Sequence, residues 1–308
     1  MSVNAILSSL IIALAAFGIS YWAFRARSDR SAYVGLYLLF GIPAVLLASI
    51  ALAQVLVGEP EDGVLVLFLG LGLGLPLLAP VRRLLARVTP MDPRSPVDMA
   101  GLCVTLFALA WLVGPAASAT PMEDVAAVGS FELVLQVVLY LVLAYAAVGW
   151  WFARSLRAAT ERLGIGWPTP RVIGAALGGL AVGMVVTVAV NLVGALLQPD
   201  VVDELSAVTD EITAEVQNPV GALLLGVSAG VGEEAIFRGA LQPRFGIVPT
   251  SIVFALLHTQ YGLNFAVVGI FALSVVLGLL RQRFGTTAAM ITHALFNFLV
   301  VLAQTYGQ

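Results

Sequence analysis

Hydrophobic residues occur along this chain in long stretches, separated by short segments that hold most of its charges. A membrane-spanning helix needs about 20 consecutive, mostly apolar residues. The pattern therefore predicts about ten membrane segments (eight to ten), at residues 5–24, 34–57, 64–81, 99–118, 133–153, 172–197, 219–237, 247–260, 264–280 and 286–304. The eighth of these, 247–260, is short, so it is a tilted helix, a broken helix or a helix continuous with its neighbour.

The composition supports lipid as the main solvent. Hydrophobic residues make up 60% of the chain and charged residues 11%, and the mean hydropathy is +1.00. Soluble domains are about a quarter charged. A single Cys excludes an intrachain disulfide and a Cys-based metal cluster. We therefore expect an all-α, polytopic transmembrane helical bundle whose surroundings are the lipid bilayer, with no nucleic-acid partner.

The segments between the hydrophobic stretches alternate in charge, and this alternation predicts a topology. Basic loops stay on the cytoplasmic side of a membrane. Odd-numbered loops are therefore expected inside and both termini outside, in a multi-pass protein of a prokaryotic cell membrane. The odd-numbered loops contain Arg25, Arg27, Arg30, Arg82, Arg83, Arg87, Arg94, Arg154, Arg157, Arg162, Arg171, Arg244, Arg281 and Arg283. The even-numbered loops contain Glu59, Glu61, Asp62, Glu123, Asp124 and the acidic residues from Asp200 to Glu215.

The sixth loop, residues 200–218, differs from the others in having a helical pattern. Its apolar residues recur every three or four positions with acidic residues between them, which indicates an amphipathic helix on the outer surface. We favour a structural cap over a substrate gate for it. The loop divides the chain into an N-terminal six-helix membrane region at 1–200 and a C-terminal membrane domain at 219–304. The apolar positions are Val201, Leu205, Val208, Ile212 and Val216.

Ionisable residues inside the membrane segments are confined to the last third of the chain. The first six segments contain no Asp, Glu, Arg or His, whereas both histidines of the chain lie in the last four. A charge at the centre of a bilayer costs about 2.5–3.5 kcal/mol on insertion scales, so such residues are functional candidates. A transporter would show polar residues in both halves, so the asymmetry favours an enzyme. The candidates are Glu233, Glu234, Arg238, His258, His293 and Asn297.

Helical spacing assigns a first set of roles. Glu234 and Arg238 are four residues apart and share one face of a regular α-helix, so we expect an ion pair that supports the site. Glu233 is rotated by about 100° from Glu234 on such a helix. A carboxylate in an apolar setting can accept a proton near neutral pH, which makes Glu233 the candidate base. The alternative is that Glu233 is a second partner of Arg238 or Arg244.

The two histidines belong to similar four-residue spacings. His293 and Asn297 project from one face of a helix and together offer two hydrogen-bond donors, which suits a developing oxyanion. Phe254 lies one turn before His258 and places an aromatic ring beside it. The alternative for both histidines is a structural one, in which they bond to backbone carbonyls inside the core.

Counting residues along the helices gives approximate depths in the membrane. Glu233, counted from Asn218 on the outer side, lies about 22 Å into a core of about 30 Å. His293 lies about 18 Å from the outer edge, and His258, counted from Gly246, about 12 Å. A tilted or late-starting eighth segment would bring His258 closer to the others. The count therefore places Glu233 closer to the cytoplasmic side of the membrane than to the outer side.

These motifs resemble a family of intramembrane proteases. The family is the CAAX-protease and bacteriocin-processing family (CPBP, also called Abi), which is related to the eukaryotic CAAX prenyl endopeptidase. The resemblance covers about residues 219–304, and none of the motif positions departs from the pattern. The matching motifs are Glu-Glu-x-x-x-Arg at Glu233, Glu234 and Arg238, Phe-x-x-x-His at Phe254 and His258, and His-x-x-x-Asn at His293 and Asn297.

The resemblance implies an activity and assigns the residues. In such proteases, Glu233 and His258 would activate a water for attack on a peptide carbonyl, and His293 and Asn297 would stabilise the oxyanion. The implied substrate is a membrane-associated or lipidated protein or peptide. The alternative is a non-hydrolytic membrane scaffold or a proton-coupled transporter.

The resemblance leaves the class of protease open between a glutamic and a metallo-endopeptidase. Glu233, His258 and His293 would provide three zinc ligands with one open position. The same groups could instead perform acid–base chemistry unaided, and the zinc-protease signature His-Glu-x-x-His is absent.

Overall fold

The computed structural model describes residues 3–117, 127–258, 261–262 and 264–306. Within these ranges the chain forms helices and no β-strand, which confirms the predicted all-α, polytopic class. The predicted acidic residues of the fourth loop, Glu123 and Asp124, lie outside the described residues.

The first eight helices include six that are long and apolar. A 3₁₀ turn at Leu75–Leu77 extends the third of them. Two short helices, α4 and α7, lie in the basic third and fifth loops. The bounds are α1 Val3–Arg25, α2 Arg30–Val57, α3 Pro60–Gly74, α4 Ala79–Leu85, α5 Pro96–Ala117, α6 Ser130–Ala147, α7 Leu156–Leu163 and α8 Pro170–Leu197.

The remaining helices form the C-terminal part of the chain. Between α10 and α11 the helix continues in π geometry, at Ser228–Glu233 and again at Ala235–Leu241. The whole stretch Pro219–Phe245 is therefore one helical span, which we call the motif helix. The bounds are α9 Pro199–Thr213, α10 Pro219–Val227, α11 Gln242–Phe245, α12 Ile247–Leu256, α13 Phe265–Phe284 and α14 Thr286–Tyr306.

Nine helical spans in the described part of the chain are long and apolar enough to cross a membrane. This number falls within the predicted eight to ten. The eighth predicted segment, 247–260, is not one of them, because its helix α12 ends at Leu256 after ten residues. Ten residues rise only about 15 Å, which is half of a bilayer core of about 30 Å. His258 therefore follows a half-length helix.

The chain divides into two compact units, each made of several chain segments. Unit 1 consists of Met1–Ala16, Met122–Pro243 and Ile247–Gln308, and unit 2 of Phe17–Pro121 and Arg244–Gly246. The core of unit 2 is built from buried residues of α1, α2, α3 and α5, among them Leu36, Met99 and Cys103. The Cys103 Sγ lies 3.4 Å from the Leu73 carbonyl, so this cysteine packs in the core.

Unit 2 also buries two arginines that the sequence pattern placed in exposed loops. Arg82 donates to the Pro76 carbonyl at 2.5 Å, the Pro93 carbonyl at 2.9 Å and the Tyr37 hydroxyl at 3.0 Å. Arg244, which the sequence places in the seventh loop, forms an ion pair with Asp98, and both side chains are largely buried. Loop arginines can therefore have structural partners that a charge count does not reveal.

Unit 1 is built around α6, α8, α13, α14 and the motif helix. Small residues on α8 allow close packing on α13 and α14, and the Thr292 hydroxyl of α14 donates to the Ala176 carbonyl of α8 at 3.0 Å. The predicted amphipathic helix is present as α9. It is fastened to α14 by the Gln304 side-chain amide, which donates to Asp210 at 2.9 Å. These contacts support its interpretation as a cap.

The motif helix approaches α14 so closely that Gly226 and Gly230 on it have no room for a side chain. A Cβ atom placed on Gly230 would lie 2.6 Å from the backbone N of Ala294 and 2.7 Å from the Met290 carbonyl oxygen. Both are backbone atoms and cannot rotate away. The absence of a side chain at Gly230 therefore sets the distance between these two helices.

We predict that Gly230→Ala lowers the free energy of unfolding by about 1–3 kcal/mol, because the added methyl group overpacks a rigid contact. Gly178→Ala on α8 is the matched control, since nothing lies within 4 Å of its Cβ position. That variant should retain or raise the stability, as Ala is the better helix former by about 1 kcal/mol. Unfolding in detergent, followed by circular dichroism, measures both. Equal stability of the two variants would contradict the packing argument.

Candidate active site

The first motif lies at the junction of the two π-helical segments. In a π-helix the backbone bonds run from residue i to i+5, and short π segments inside α-helices are frequent at functional sites. Glu233 ends the first segment, and Glu234 links it to the second with φ −65° and ψ −31°. The regular α-helix assumed from the sequence is therefore wrong here. The spacing of apolar residues along the chain does not reveal where a π segment is inserted into an otherwise regular α-helix.

A buried polar network surrounds Glu234. Its Oε1 accepts a hydrogen bond from His293 Nδ1 at 2.9 Å, and its Oε2 lies 3.2 Å from Arg238 Nε. The second contact is an ion pair rather than an aligned hydrogen bond, since neither of its two atoms has a hydrogen-bond partner. Arg238 Nη2 donates to the carbonyl and hydroxyl of Ser274, at 3.2 and 3.1 Å. The expected ion pair is thus present, and it also holds His293.

Phe254 lies at the centre of an aromatic cluster that joins the three motifs. Its ring centroid is 4.6 Å from that of His258, 5.9 Å from that of His293 and 5.0 Å from that of Phe237. The Arg238 guanidinium carbon lies 4.7 Å from the same centroid, within the range of a cation–π contact. Phe254 is itself buried. The contacts of one ring therefore bring α12, α14 and the motif helix together.

His258 follows α12 and is held by its own preceding turn. Its Nδ1 lies 2.7 Å from the Phe254 carbonyl oxygen, so Nδ1 carries the proton and donates it. This agrees in part with the structural alternative for the histidines. The ring is nevertheless half-buried, and a neutral imidazole that donates from Nδ1 keeps Nε2 as a free acceptor.

Glu233 and Glu234 each have a buried Oε2 without a hydrogen-bond partner among the described residues, but that of Glu234 lies in the ion pair with Arg238. The Glu233 carboxylate lies close enough to Arg238 and His293 for electrostatic interaction with both. Arg244, the other partner considered for it, is paired with Asp98 instead. Glu234 is therefore the carboxylate that the His293 bond and the Arg238 ion pair hold, and Glu233 is the one with an oxygen left for another partner.

The remaining predicted residue, Asn297, lies one turn after His293 on α14 and is half-buried. Sequence reasoning missed two supporting residues on α13. Ser274 accepts from Arg238, and Arg281, which the sequence analysis placed in a loop, donates from Nε to the Arg238 carbonyl at 3.0 Å. Their only sequence signal was their spacing of seven residues, which places them on one face of α13.

The predicted zinc ligands do not form a metal site. No group of three or more His, Cys, Asp or Glu side chains in the described ranges is arranged to hold a metal ion. A catalytic zinc usually takes three protein ligands. We therefore derive no step through zinc.

The fold and the site define a class: a multi-pass helical membrane protein with carboxylates and histidines assembled among its apolar helices. Residues 215–299 match the family model described as Rce1-like, type II CAAX prenyl endopeptidase. This part of the chain is therefore similar to Rce1-like domains, which is consistent with the CPBP family and supports, in general, a CAAX-type intramembrane endopeptidase. No curated protein and no solved structure matches the chain.

We predict that Arg238→Met lowers the free energy of unfolding by about 3–5 kcal/mol, because it leaves a buried carboxylate without its partner. The double variant Glu234→Leu/Arg238→Met should lose less than the sum of the two single variants, since no unpaired charge remains. Unfolding titrations in mixed micelles measure this cycle.

Arg157→Met is the matched control for this cycle. It breaks another i,i+4 pair, with Glu161, whose side chains are 90% and 65% exposed. An exposed pair contributes about 0–1 kcal/mol. Strict additivity in the Glu234/Arg238 cycle, or a control that loses as much as Arg238→Met, would contradict the importance of the buried pair.

Proposed function

We propose that this chain is an intramembrane endopeptidase that hydrolyses peptide bonds of membrane-associated or lipidated protein or peptide substrates. The single observation that carries the proposal is the packing of three motifs, from separate helices, around the Phe254 ring. The match of residues 215–299 to a family of CAAX endopeptidases supports the reaction type. The nine apolar spans support a substrate that is reached from within or beside the bilayer.

In the proposed reaction, Glu233 and His258 activate a water. The water oxygen attacks the peptide carbonyl carbon while one of its protons passes to the Glu233 carboxylate, and the carbonyl π electrons move onto oxygen. The proton then passes to the leaving nitrogen as the carbon–nitrogen bond breaks, which yields a carboxylic acid and an amine. Glu233 Oε2, which has no hydrogen-bond partner among the described residues, and the Nδ1–H bond of His258, which leaves the acceptor lone pair on Nε2, support these roles.

His293 and Asn297 are proposed to stabilise the tetrahedral oxyanion. The Glu234 carboxylate holds the Nδ1 proton of His293 and thereby fixes the ring. When the ring is also protonated at Nε2, that nitrogen donates to the oxyanion, and the Asn297 amide supplies a second donor. Glu234 and Arg238 have a supporting role in this scheme, because their charges neutralise each other inside the protein.

We expect Glu233→Gln and His258→Ala each to lower peptide hydrolysis by about 10²–10⁴-fold, the usual contribution of a general acid–base residue. Glu211→Gln, on the exposed side of α9, is the control and should retain full activity. The assay compares purified proteins on a detergent-solubilised peptide library, with and without a chelator. Loss of activity with the chelator would favour a metallo-enzyme.

Thermal unfolding of each variant checks that the proteins assayed are folded. If folded wild-type protein and all variants fail to cleave any peptide, the endopeptidase proposal is wrong and a non-hydrolytic scaffold takes its place. If Glu233→Gln alone keeps wild-type activity, the endopeptidase proposal stands, but its assignment of the base does not.

We also predict that cleavage occurs close to the cytoplasmic leaflet, because Glu233 lies about 8 Å from the inner edge when its depth is counted along the helix. The measurement uses a reconstituted membrane substrate with equivalent cleavable sequences on the two sides, and the products are identified by mass spectrometry. Products from the outer side alone would contradict this prediction.

A further inference from the structure

A tyrosine of α6, outside the three motifs, lies beside the proposed base. A Cβ atom placed on Gly232 would lie 3.1 Å from Tyr140 Cβ and 3.2 Å from its ring carbon Cδ2. Gly232 directly precedes Glu233, so the Tyr140 ring packs against the backbone that carries this carboxylate. A larger residue at position 232 would push the ring away.

On both sides of the Tyr140–Gly232 contact, α6 makes further contacts with the motif helix. The buried Ser228 hydroxyl, at the start of the first π segment, donates to the Leu133 carbonyl of α6 at 2.7 Å. Further along both helices, apolar residues of the motif helix and of α6 pack in one cluster, which includes Val231, Ala235 and Ile236 of the motif helix and Leu141 and Ala144 of α6. Tyr140 therefore occupies a fixed position relative to Glu233.

The phenol of Tyr140 has a polar partner within an otherwise apolar helix. Gln136 lies one turn earlier, and its side chain is within interaction range of the Tyr140 phenol. When the Gln136 amide donates to the phenol oxygen, the O–H proton of the phenol remains available. Gln136 and Tyr140 thus place a hydrogen-bond donor on the face of α6 that meets the motif helix.

Glu233 and Tyr140 lie within electrostatic range of one another, yet Glu233 Oε2 is buried with no hydrogen bond to the described protein atoms. Buried polar atoms in folded proteins are almost always bonded, either to protein or to an ordered water. A water needs about two to four polar partners to be held in such a place. A carboxylate acceptor and a phenol donor would supply two of them.

We propose that Tyr140 is a further catalytic residue, whose hydroxyl orients the water that Glu233 activates. Gln136 is the positioning residue that holds this hydroxyl in place. The phenol O–H and the carboxylate each bond to the water, which directs an oxygen lone pair toward the substrate carbonyl while Glu233 takes the proton. This inference rests on the endopeptidase reaction proposed above.

The test compares Tyr140→Phe with Tyr145→Phe in the peptide-hydrolysis assay. Tyr140→Phe keeps the ring against Gly232 and removes only the hydroxyl. We expect kcat to fall at least about tenfold with little change in KM, since a group that acts on the water contributes to the transition state. Tyr145 is on the same helix and its hydroxyl bonds to Thr160 at 2.8 Å, so Tyr145→Phe should keep the wild-type kcat.

Two further variants separate catalysis from folding. Gln136→Leu leaves the phenol in place but unanchored, and should lower kcat by a smaller factor. In a Glu233→Gln background, Tyr140→Phe should cause little further loss, because both residues act on the same water. Thermal unfolding midpoints identify any variant whose loss of activity comes from misfolding.

The assay distinguishes a failure of the proposed role of Tyr140 from a failure of the proposed endopeptidase function. A wild-type enzyme that is inactivated by Glu233→Gln but keeps its full kcat as Tyr140→Phe would overturn the role of Tyr140 and leave the proposed function intact. A fall in kcat that is equally large for Tyr145→Phe would also overturn it. If the wild-type protein has no activity, the proposed function fails and this inference fails with it.

Discussion

The buried ion pair between Glu234 and Arg238 is the interaction on which the arrangement of the site depends. Removing two charges from water costs several kcal/mol per ion, and attraction repays this only when further bonds satisfy the remaining polar atoms. His293 and Ser274 supply hydrogen bonds and the Phe254 ring a cation–π contact, while Arg238 Nη1 has no hydrogen-bond partner among the described residues. Since His293, Ser274 and Phe254 come from α14, α13 and α12, neutralising the charge on the motif helix also assembles the four helices.

The motif helix is unusual in combining π geometry with glycines at its contacts. Gly230 brings it against the backbone of α14, and Gly232 brings it against Tyr140 of α6. The π segments place two consecutive glutamates at their junction, where one is fully buried in the ion pair and the other is half-buried with a partnerless oxygen. Two adjacent residues of the same type therefore have different chemical environments, which allows one to support the site and the other to react.

The half-length of α12 has a related consequence. A helix that crossed the whole membrane would continue past Phe254 and satisfy its carbonyl oxygen within the helix. Because α12 ends at Leu256, the Phe254 carbonyl bonds to the His258 ring instead. The helix end thus fixes the orientation of a histidine that the proposed reaction needs. The depth estimate from the sequence, which treated residues 247–260 as one regular helix, could not include this effect.

The sequence by itself determined the membrane class, the long apolar spans, the amphipathic α9 and the three motifs, because each depends on residues close together in the chain. Hydrophobicity and periodicity are local properties. Only the tertiary structure decided the π segments, the end of α12, the burial of Arg82 and Arg244, and the contacts of Ser274, Arg281 and Tyr140. These depend on which helix lies opposite, since a buried polar atom takes its partner from a distant part of the chain, and helical spacing carries no information about that partner.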